Sequence, residues 1–238
     1  MTLGTLFLVP CTLGDSDPIE VLPQRTLAAV RRLDHFVVEE PKTARAFLKR
    51  VGMQRPLAEL LMQTLNEHTD KRTVPALLQP LLEGQDVGLL SEAGYPAVAD
   101  PGSELIALAH DRGVRVVPLV GPSSLLLALA ASGLNGQGFA FHGYLPVEAA
   151  RRAAYLRDLE ARSRREQTAH LFIETPYRNN QLLSALLQTL RADTRLTVAS
   201  QLTLADELVR TMTIERWRTA VPDLDRKPTV FVLQSAAG

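Results

Sequence analysis

The stretch Val87-Gly88-Leu89-Leu90-Ser91-Glu92-Ala93-Gly94-Tyr95-Pro96-Ala97-Val98-Ala99-Asp100-Pro101-Gly102 decides the fold class. Its first four residues are apolar and form a run of the length expected for a buried parallel strand. Gly94 and Pro96 turn the chain where that strand ends. Asp100 is expected to cap the next helix, with Pro101 at its first position. In open α/β sheets, ligands bind outside the carboxyl ends of strands, against turns of this kind. The stretch therefore reads as a ligand turn and not only as a connection.

A second turn of the same type follows. The strand-like run Val114–Val120 ends in Gly121-Pro122-Ser123-Ser124, and an apolar helix is expected over Leu125–Ala131, stopped by Gly133. That helix is apolar all round, which predicts burial on every side. Ser123 and Ser124 set hydroxyls and free N–H groups at a helix N-terminus, which suits a carboxylate or a ribose. Outward from these turns, strands are expected at Thr5–Val9, His35–Glu39, Leu61–Leu65, Val87–Leu90 and Arg115–Leu119. Between them lie helical patterns near Val21–Leu33, Thr43–Val51, Thr73–Glu83 and Ser103–Arg112. The second half adds strands Phe139–Gly143, Ala169–Ile173, Leu196–Ser200, Leu208–Ile214 and Thr229–Gln234, with helices Glu148–Ser163 and Asn179–Leu190. Regular alternation argues an α/β fold. Adjacent late strands argue that the second sheet is mixed. Two α/β lobes are expected, residues 1–119 and 120–238, with a cofactor cleft between them.

Composition narrows the function classes. The chain has 238 residues, 46% hydrophobic, enough for one or two domains. Lys plus Arg and Asp plus Glu each number 26, so the formal net charge is zero, whereas a strongly nucleic-acid-binding chain carries a basic excess. The single Cys11 excludes an intrachain disulfide, and no metal-ligand spacing of Cys or His is present. No charged and apolar leader opens the chain, and no uninterrupted apolar run has membrane-spanning length. A cytoplasmic enzyme without metal or membrane is the expectation. The one dense basic cluster, Arg151-Arg152 with Arg162 to Arg165, reads as a solvated helix face or as a contact for RNA phosphates.

The block Ser91–Gly102 with Gly121-Pro122-Ser123 resembles the tetrapyrrole-methylase superfamily, the class III S-adenosylmethionine-dependent methyltransferases. Weaker echoes lie at Leu8-Val9-Pro10, Glu39-Glu40-Pro41-Lys42, Asn66-Glu67-His68, Phe141–Pro146 and Glu174–Arg178. Within the superfamily the chain is most similar to bacterial enzymes that methylate a ribose 2′-hydroxyl of a cytidine in 16S ribosomal RNA. It departs from them at Glu92 and Tyr95, where that branch has Asp and Thr, and at Thr69, and it is expected to lack their extra C-terminal domain.

The resemblance implies a methyltransferase using S-adenosylmethionine and forming a homodimer. Its acceptor would be RNA or, as the alternative, a tetrapyrrole or other small molecule. A binding module that kept the fold and lost the chemistry is the reading from a different class. By motif matching, Pro10, Ser91, Glu92, Ala93, Gly94, Ser123, Ser124, Glu174 and Leu202 fall where the cofactor is held. The candidates for substrate contact are Glu39, Lys42, Tyr95 and Arg178, and Arg178 reads equally as half of a structural ion pair. Glu67 and His68, after the strand Leu61–Leu65, are candidate general bases, because a hydroxyl acceptor must lose its proton. His68 also reads as a surface-loop histidine.

Overall fold

The computed structural model describes residues 2–236. The chain divides into two compact units, one ending at Ser123 and the other beginning at Ser124.

The first unit is a five-stranded parallel sheet of order β3-β2-β4-β1-β5. Its strands are β1 (Thr5–Val9), β2 (His35–Val38), β3 (Leu61–Thr64), β4 (Val87–Leu90) and β5 (Arg115–Pro118). Its helices are α1 (Pro18–Val21), α2 (Gln24–Arg31), α3 (Pro41–Val51), α4 (Gln79–Leu82) and α5 (Ser103–Asp111). Successive strand residues point to opposite faces and so feed two separate cores. Phe7, Val9, Phe36 and Val38 pack with Val30 of α2 and Leu48 of α3. Leu6, Val37, Val87 and Leu89 pack with Leu81 of α4 and Leu105 of α5. β4 lies between β1 and β2 and is buried along its whole length. Gly88 stands in it because a side chain there would meet the Phe36 ring at 2.9 Å.

The second unit is a five-stranded mixed sheet of order β6-β7-β10-β8-β9. It comprises α6 (Ser124–Ser132), β6 (Phe139–Tyr144), α7 (Ala149–Glu166), β7 (Ala169–Ile173), α8 (Asn179–Thr189), β8 (Arg195–Ser200), β9 (Leu208–Thr213), α9 (Ile214–Trp217) and β10 (Thr229–Gln234). β6 and β7 run parallel, whereas β10 is antiparallel to both β7 and β8, and β9 is antiparallel to β8. Phe172 and Phe231 stack at 5.8 Å in a core closed by α7, α8 and the buried Trp217, whose indole N–H donates to the Leu196 carbonyl. α6 packs against β8, β9 and β10, and Thr211 Oγ1 donates to the Ser132 carbonyl at its end.

Several expected elements take a different form. The single helix expected over Val21–Leu33 is two, because Pro23 interrupts it and Asp17 caps the first with a bond from the Ile19 N–H. The pattern at Thr73–Glu83 becomes a 3₁₀ segment, Lys71–Leu78, followed by α4, with Pro75 and Pro80 inside the stretch. Asp100 does not cap the next helix: α5 begins at Ser103, after Gly102 at φ 128°. α6 is not buried on every side. Ala128, Leu129 and Ser132 face inward, while Leu126 and Leu127 remain 57% and 39% exposed.

Candidate active site

In the first unit, the carboxyl ends of β1, β4 and β5 are adjacent because those strands are neighbours. The turns leaving them interlock. Cys11 N–H donates to the Gly94 carbonyl at 2.8 Å, and Cys11 Sγ–H donates to the Ser91 carbonyl. The Tyr95 hydroxyl donates to the Leu119 carbonyl at 2.6 Å, so the β4 turn is tied to the end of β5. Pro10 packs directly on Gly121, and Thr26 Oγ1 of α2 holds the Val120 carbonyl.

The β4 turn has an unusual backbone. Gly94 and Gly102 have φ of 69° and 128°, and Ala97 and Ala99 both sit at φ 64°. A left-handed alanine costs about 1–2 kcal/mol, and such outliers cluster where a ligand or mechanism needs the geometry. The interlock with Cys11 and Leu119 holds the turn in this shape. Glu92 and Ala93 lie at its exposed crest.

The rim of these turns is acidic. Glu39 directly follows β2, and Glu92 and Asp100 belong to the β4 turn. Burial first, then the charges of Asp100 and Glu92, push the Glu39 carboxyl up from its ordinary value, although the Glu92 N–H donates to it. Asp100 is pushed up mainly by burial, against a hydrogen bond from Ser91. Glu92 Oε1 accepts from Thr43 Oγ1 at 3.2 Å. The Cys11 thiol is buried and raised to about 12, so it is not a nucleophile near neutral pH.

The structure brings Pro10, Ser91, Glu92, Ala93, Gly94, Tyr95 and Glu39 into this one cluster, with Ser123 at the end of the β5 turn. The Ser123 and Ser124 hydroxyls have no hydrogen-bond partner among the described residues. Lys42 lies on the exposed first turn of α3, its N–H bonded to the Glu40 carboxylate that caps the helix. Glu67 and His68 project from the loop after the edge strand β3, both side chains 84% exposed and 3.5 Å apart. Asn66 Oδ1 shapes that loop by accepting from the His68 N–H.

The remaining candidates lie in the second unit. Glu174 is buried beyond β7, and its Oε1 accepts from the Thr175 N–H and from Arg178 Nη2 at 2.6 Å. Arg178 therefore forms the ion pair that the sequence allowed as an alternative. Leu202 is buried between Gln201 and Thr203, which sit at φ 54° and 71°. Left-handed φ is rare for a β-branched residue, so the loop after β8 is a second backbone outlier at a motif position. The sequence reading missed Asp100 as a member of the acidic rim. Its Asp-Pro context pointed to a helix cap, and no local signal distinguished the two roles.

The first unit is a parallel α/β sheet with interlocked turns and left-handed residues at its strand ends, where such sheets bind ligands, and the second is a mixed α/β unit. A family model described as Tetrapyrrole (Corrin/Porphyrin) Methylases matches residues 6–217, and the chain belongs to that family. It is a methyltransferase. Among curated proteins it is 35% identical over 209 residues to the ribosomal RNA small subunit methyltransferase I of Mesorhizobium japonicum, covering 88% of this chain and 67% of that protein. It is 31% identical to the protein of the same name from Pseudomonas aeruginosa, over 89% of this chain and 71% of the other. The fold matches the crystal structure of the methyltransferase CobJ with a TM-score of 0.64 at 17% identity, over 98% of this chain and 95% of that one. Among the described residues, no helix is long and apolar enough to cross a membrane, and no group of three or more His, Cys, Asp or Glu could hold a metal ion.

Proposed function

We propose that this chain transfers a methyl group from S-adenosylmethionine to a ribose 2′-hydroxyl of small-subunit ribosomal RNA. The observation that carries this reading is the 35% identity over 88% of the chain to a ribosomal RNA small subunit methyltransferase I. The site chemistry is compatible with the donor. S-adenosylmethionine carries a sulfonium and an ammonium, and the half-buried carboxyls of Glu39 and Asp100 offer negative charge beside the β4 turn. Glu92 and the hydroxyls of Ser91 and Ser123 are acceptors for a ribose diol. Pro10, Ala93 and Gly94 contribute close backbone approach, and Ser124, Glu174 and Leu202 are the proposed contacts from the second unit. Glu174 would act through a carboxylate already anchored by Arg178.

The donor supplies an electrophilic methyl group, so the protein's main task is positioning. The acceptor hydroxyl needs a proton acceptor. The Glu67–His68 pair is proposed for it, while Glu39, Lys42, Tyr95 and Arg178 are proposed to meet the substrate. We also propose a homodimer, in which a second copy covers the outer face of α6 at Leu126 and Leu127.

The test is transfer of labelled methyl from S-adenosylmethionine into small-subunit particles, with nucleoside analysis of the product. A 2′-O-methylated nucleoside in 16S RNA is expected. Label found only in a small-molecule fraction would move the acceptor to that class. Tight donor binding without any transfer would leave a binding module.

A further inference from the structure

A groove of about 330 Å³ runs along the first unit between α2 and the edge strand β5. Its floor is apolar, with Phe7 and Val117 at the bottom, and the exposed, small Ala28 leaves it open. Three guanidinium groups line it, those of Arg25, Arg32 and Arg115. None has a hydrogen bond or ion pair among the described residues; Arg32 instead lies over the Phe7 ring, 5.8 Å from its centre.

The groove gathers these three unpaired guanidinium groups on one surface of a chain whose formal charge is zero. The sequence-dense cluster on α7 is compensated in part, the exposed Arg151 having no partner among the described residues. Arg152 is buried and donates to the Val147 carbonyl, Arg162 faces Asp158, Arg164 faces Asp193, and Arg165 pairs with Glu166. The paired arginines at the end of α7, Arg162, Arg164 and Arg165, thus carry less free charge than their density in the sequence suggests. The three arginines of the groove carry theirs unpaired on α2 and β5. Arg25 and Arg32 are seven residues apart, about two helical turns, so they share a face at a spacing of roughly 10 Å.

One end of the groove lies next to the candidate active site. Leu119 lines it, and the Leu119 carbonyl receives the Tyr95 hydroxyl of the β4 turn. Arg25 lies beside Thr26, which holds the Val120 carbonyl at the same end. A strand seated in the groove would lead from the turns toward the start of β5 at Arg115.

We propose that this groove binds the sugar–phosphate backbone of the RNA substrate, its three arginines each meeting a phosphate and its apolar floor supporting a base or ribose. The proposal rests on the RNA reading of the function and names the surface that would hold that substrate. It assigns no sequence preference, because phosphate contacts position a strand without reading it.

The experiment is anisotropy titration of a dye-labelled, unstructured oligouridylate with the full chain across a salt series. The combined variant Arg25→Gln, Arg32→Gln, Arg115→Gln is compared with Arg162→Gln, Arg165→Gln. Each neutralised phosphate contact on a single strand contributes about 0.7 to the slope of log affinity against log salt. The groove variant is expected to lower the slope by about 2 and to bind roughly tenfold or more weakly at low salt. The α7 variant is expected to match the native chain. Circular dichroism and affinity for S-adenosylhomocysteine establish that each variant is folded, and the three single Arg→Gln variants, each expected to lower the slope by about 0.7, serve if the combined one is not.

An unchanged slope overturns the groove even if the native chain methylates ribosomal RNA, and so does an absence of RNA binding by the native chain. Displacement of the RNA by inorganic phosphate at matched ionic strength reassigns the groove to a free anion. A change in sedimentation with an unchanged slope reassigns it to a contact between two copies. Loss of slope in a chain that methylates only a small molecule supports the groove and overturns the function proposed above.

Discussion

Pro10 occupies the space in which Gly121 would carry a side chain: a Cβ at Gly121 would lie 2.2 Å from Pro10 Cγ and 2.4 Å from Pro10 Cβ. The turns after β1 and β5 thus meet without a gap, one residue supplying a rigid ring and the other supplying nothing. Gly121→Ala is expected to destabilise the first unit by about 1–3 kcal/mol through overpacking. It is also expected to weaken donor binding, because one of the two turns must move. Gly136→Ala, with nothing within 4 Å, is the matched control. Equal melting temperatures and equal S-adenosylhomocysteine affinities for the two variants would reject this account.

Gly94 poses a related test. Its φ of 69° resists a β-branched residue, and a Cβ there already meets Leu13 at 3.2 Å. Gly94→Val is expected to reduce donor affinity at least tenfold while Gly136→Val leaves it unchanged. Calorimetric titration of S-adenosylmethionine into each variant, without added metal, decides the matter.

The acidic rim makes stability depend on pH in a defined direction. The Glu39 carboxyl is raised above its ordinary value of 4.5, chiefly by burial and then by Asp100 and Glu92. A raised carboxyl favours the protonated fold, so its contribution is fully present below the unfolded value and is lost as pH rises through the folded one. Glu39→Gln is therefore expected to raise the melting temperature at pH 7, with the gain vanishing near pH 4. Thermal unfolding monitored across that range measures it, and a gain that grows on acidification would contradict the cause assigned.

His170 should act in the opposite sense. It is fully buried, its Nδ1 meets His142 Nε2 at 2.8 Å, and its own Nε2 has no partner. Burial, reinforced by His142 and Arg162, lowers it from 6.5 to about 4. The unfolded chain binds this proton first, so stability is present above pH 6.5 and is lost as pH falls toward 4. The limiting slope for one proton is about 1.4 kcal/mol per pH unit. His170→Leu is expected to flatten the profile in that window, whatever it does to stability at pH 7. Denaturant titrations at fixed pH values are the measurement, and an unaltered slope in the variant would exclude His170 as the source.

The outer face of α6 bears on assembly. Leu126→Glu with Leu127→Glu places charge on exposed positions, so the single chain should tolerate the change. If a second copy covers that face, the native chain sediments as a dimer and the variant as a single chain. A native protein sedimenting with the mass of one chain at tens of micromolar would exclude the dimer.

Much of this molecule is determined by local sequence. Val87–Leu90, Thr5–Val9 and Ala169–Ile173 are strands because each is a short apolar run bounded by turn residues. The motif at Ser91–Gly102 announced a ligand turn because glycine and proline constrain the backbone wherever they occur. What local sequence could not determine was partnership. Asp100 looked like a helix cap and became part of the acidic rim, because Gly102 lets the turn run two residues further. Arg178 was ambiguous until Glu174 appeared 2.6 Å away. The run Arg162–Arg165 is the densest basic stretch in the sequence, yet tertiary structure pairs its arginines with Asp158, Asp193 and Glu166, while Arg25, Arg32 and Arg115 have no ion pair among the described residues. Backbone preference is a property of neighbours in the chain and is legible there. Whether a charge is neutralised depends on what the fold places within a few ångströms, and that is decided only when the sheets and helices have packed.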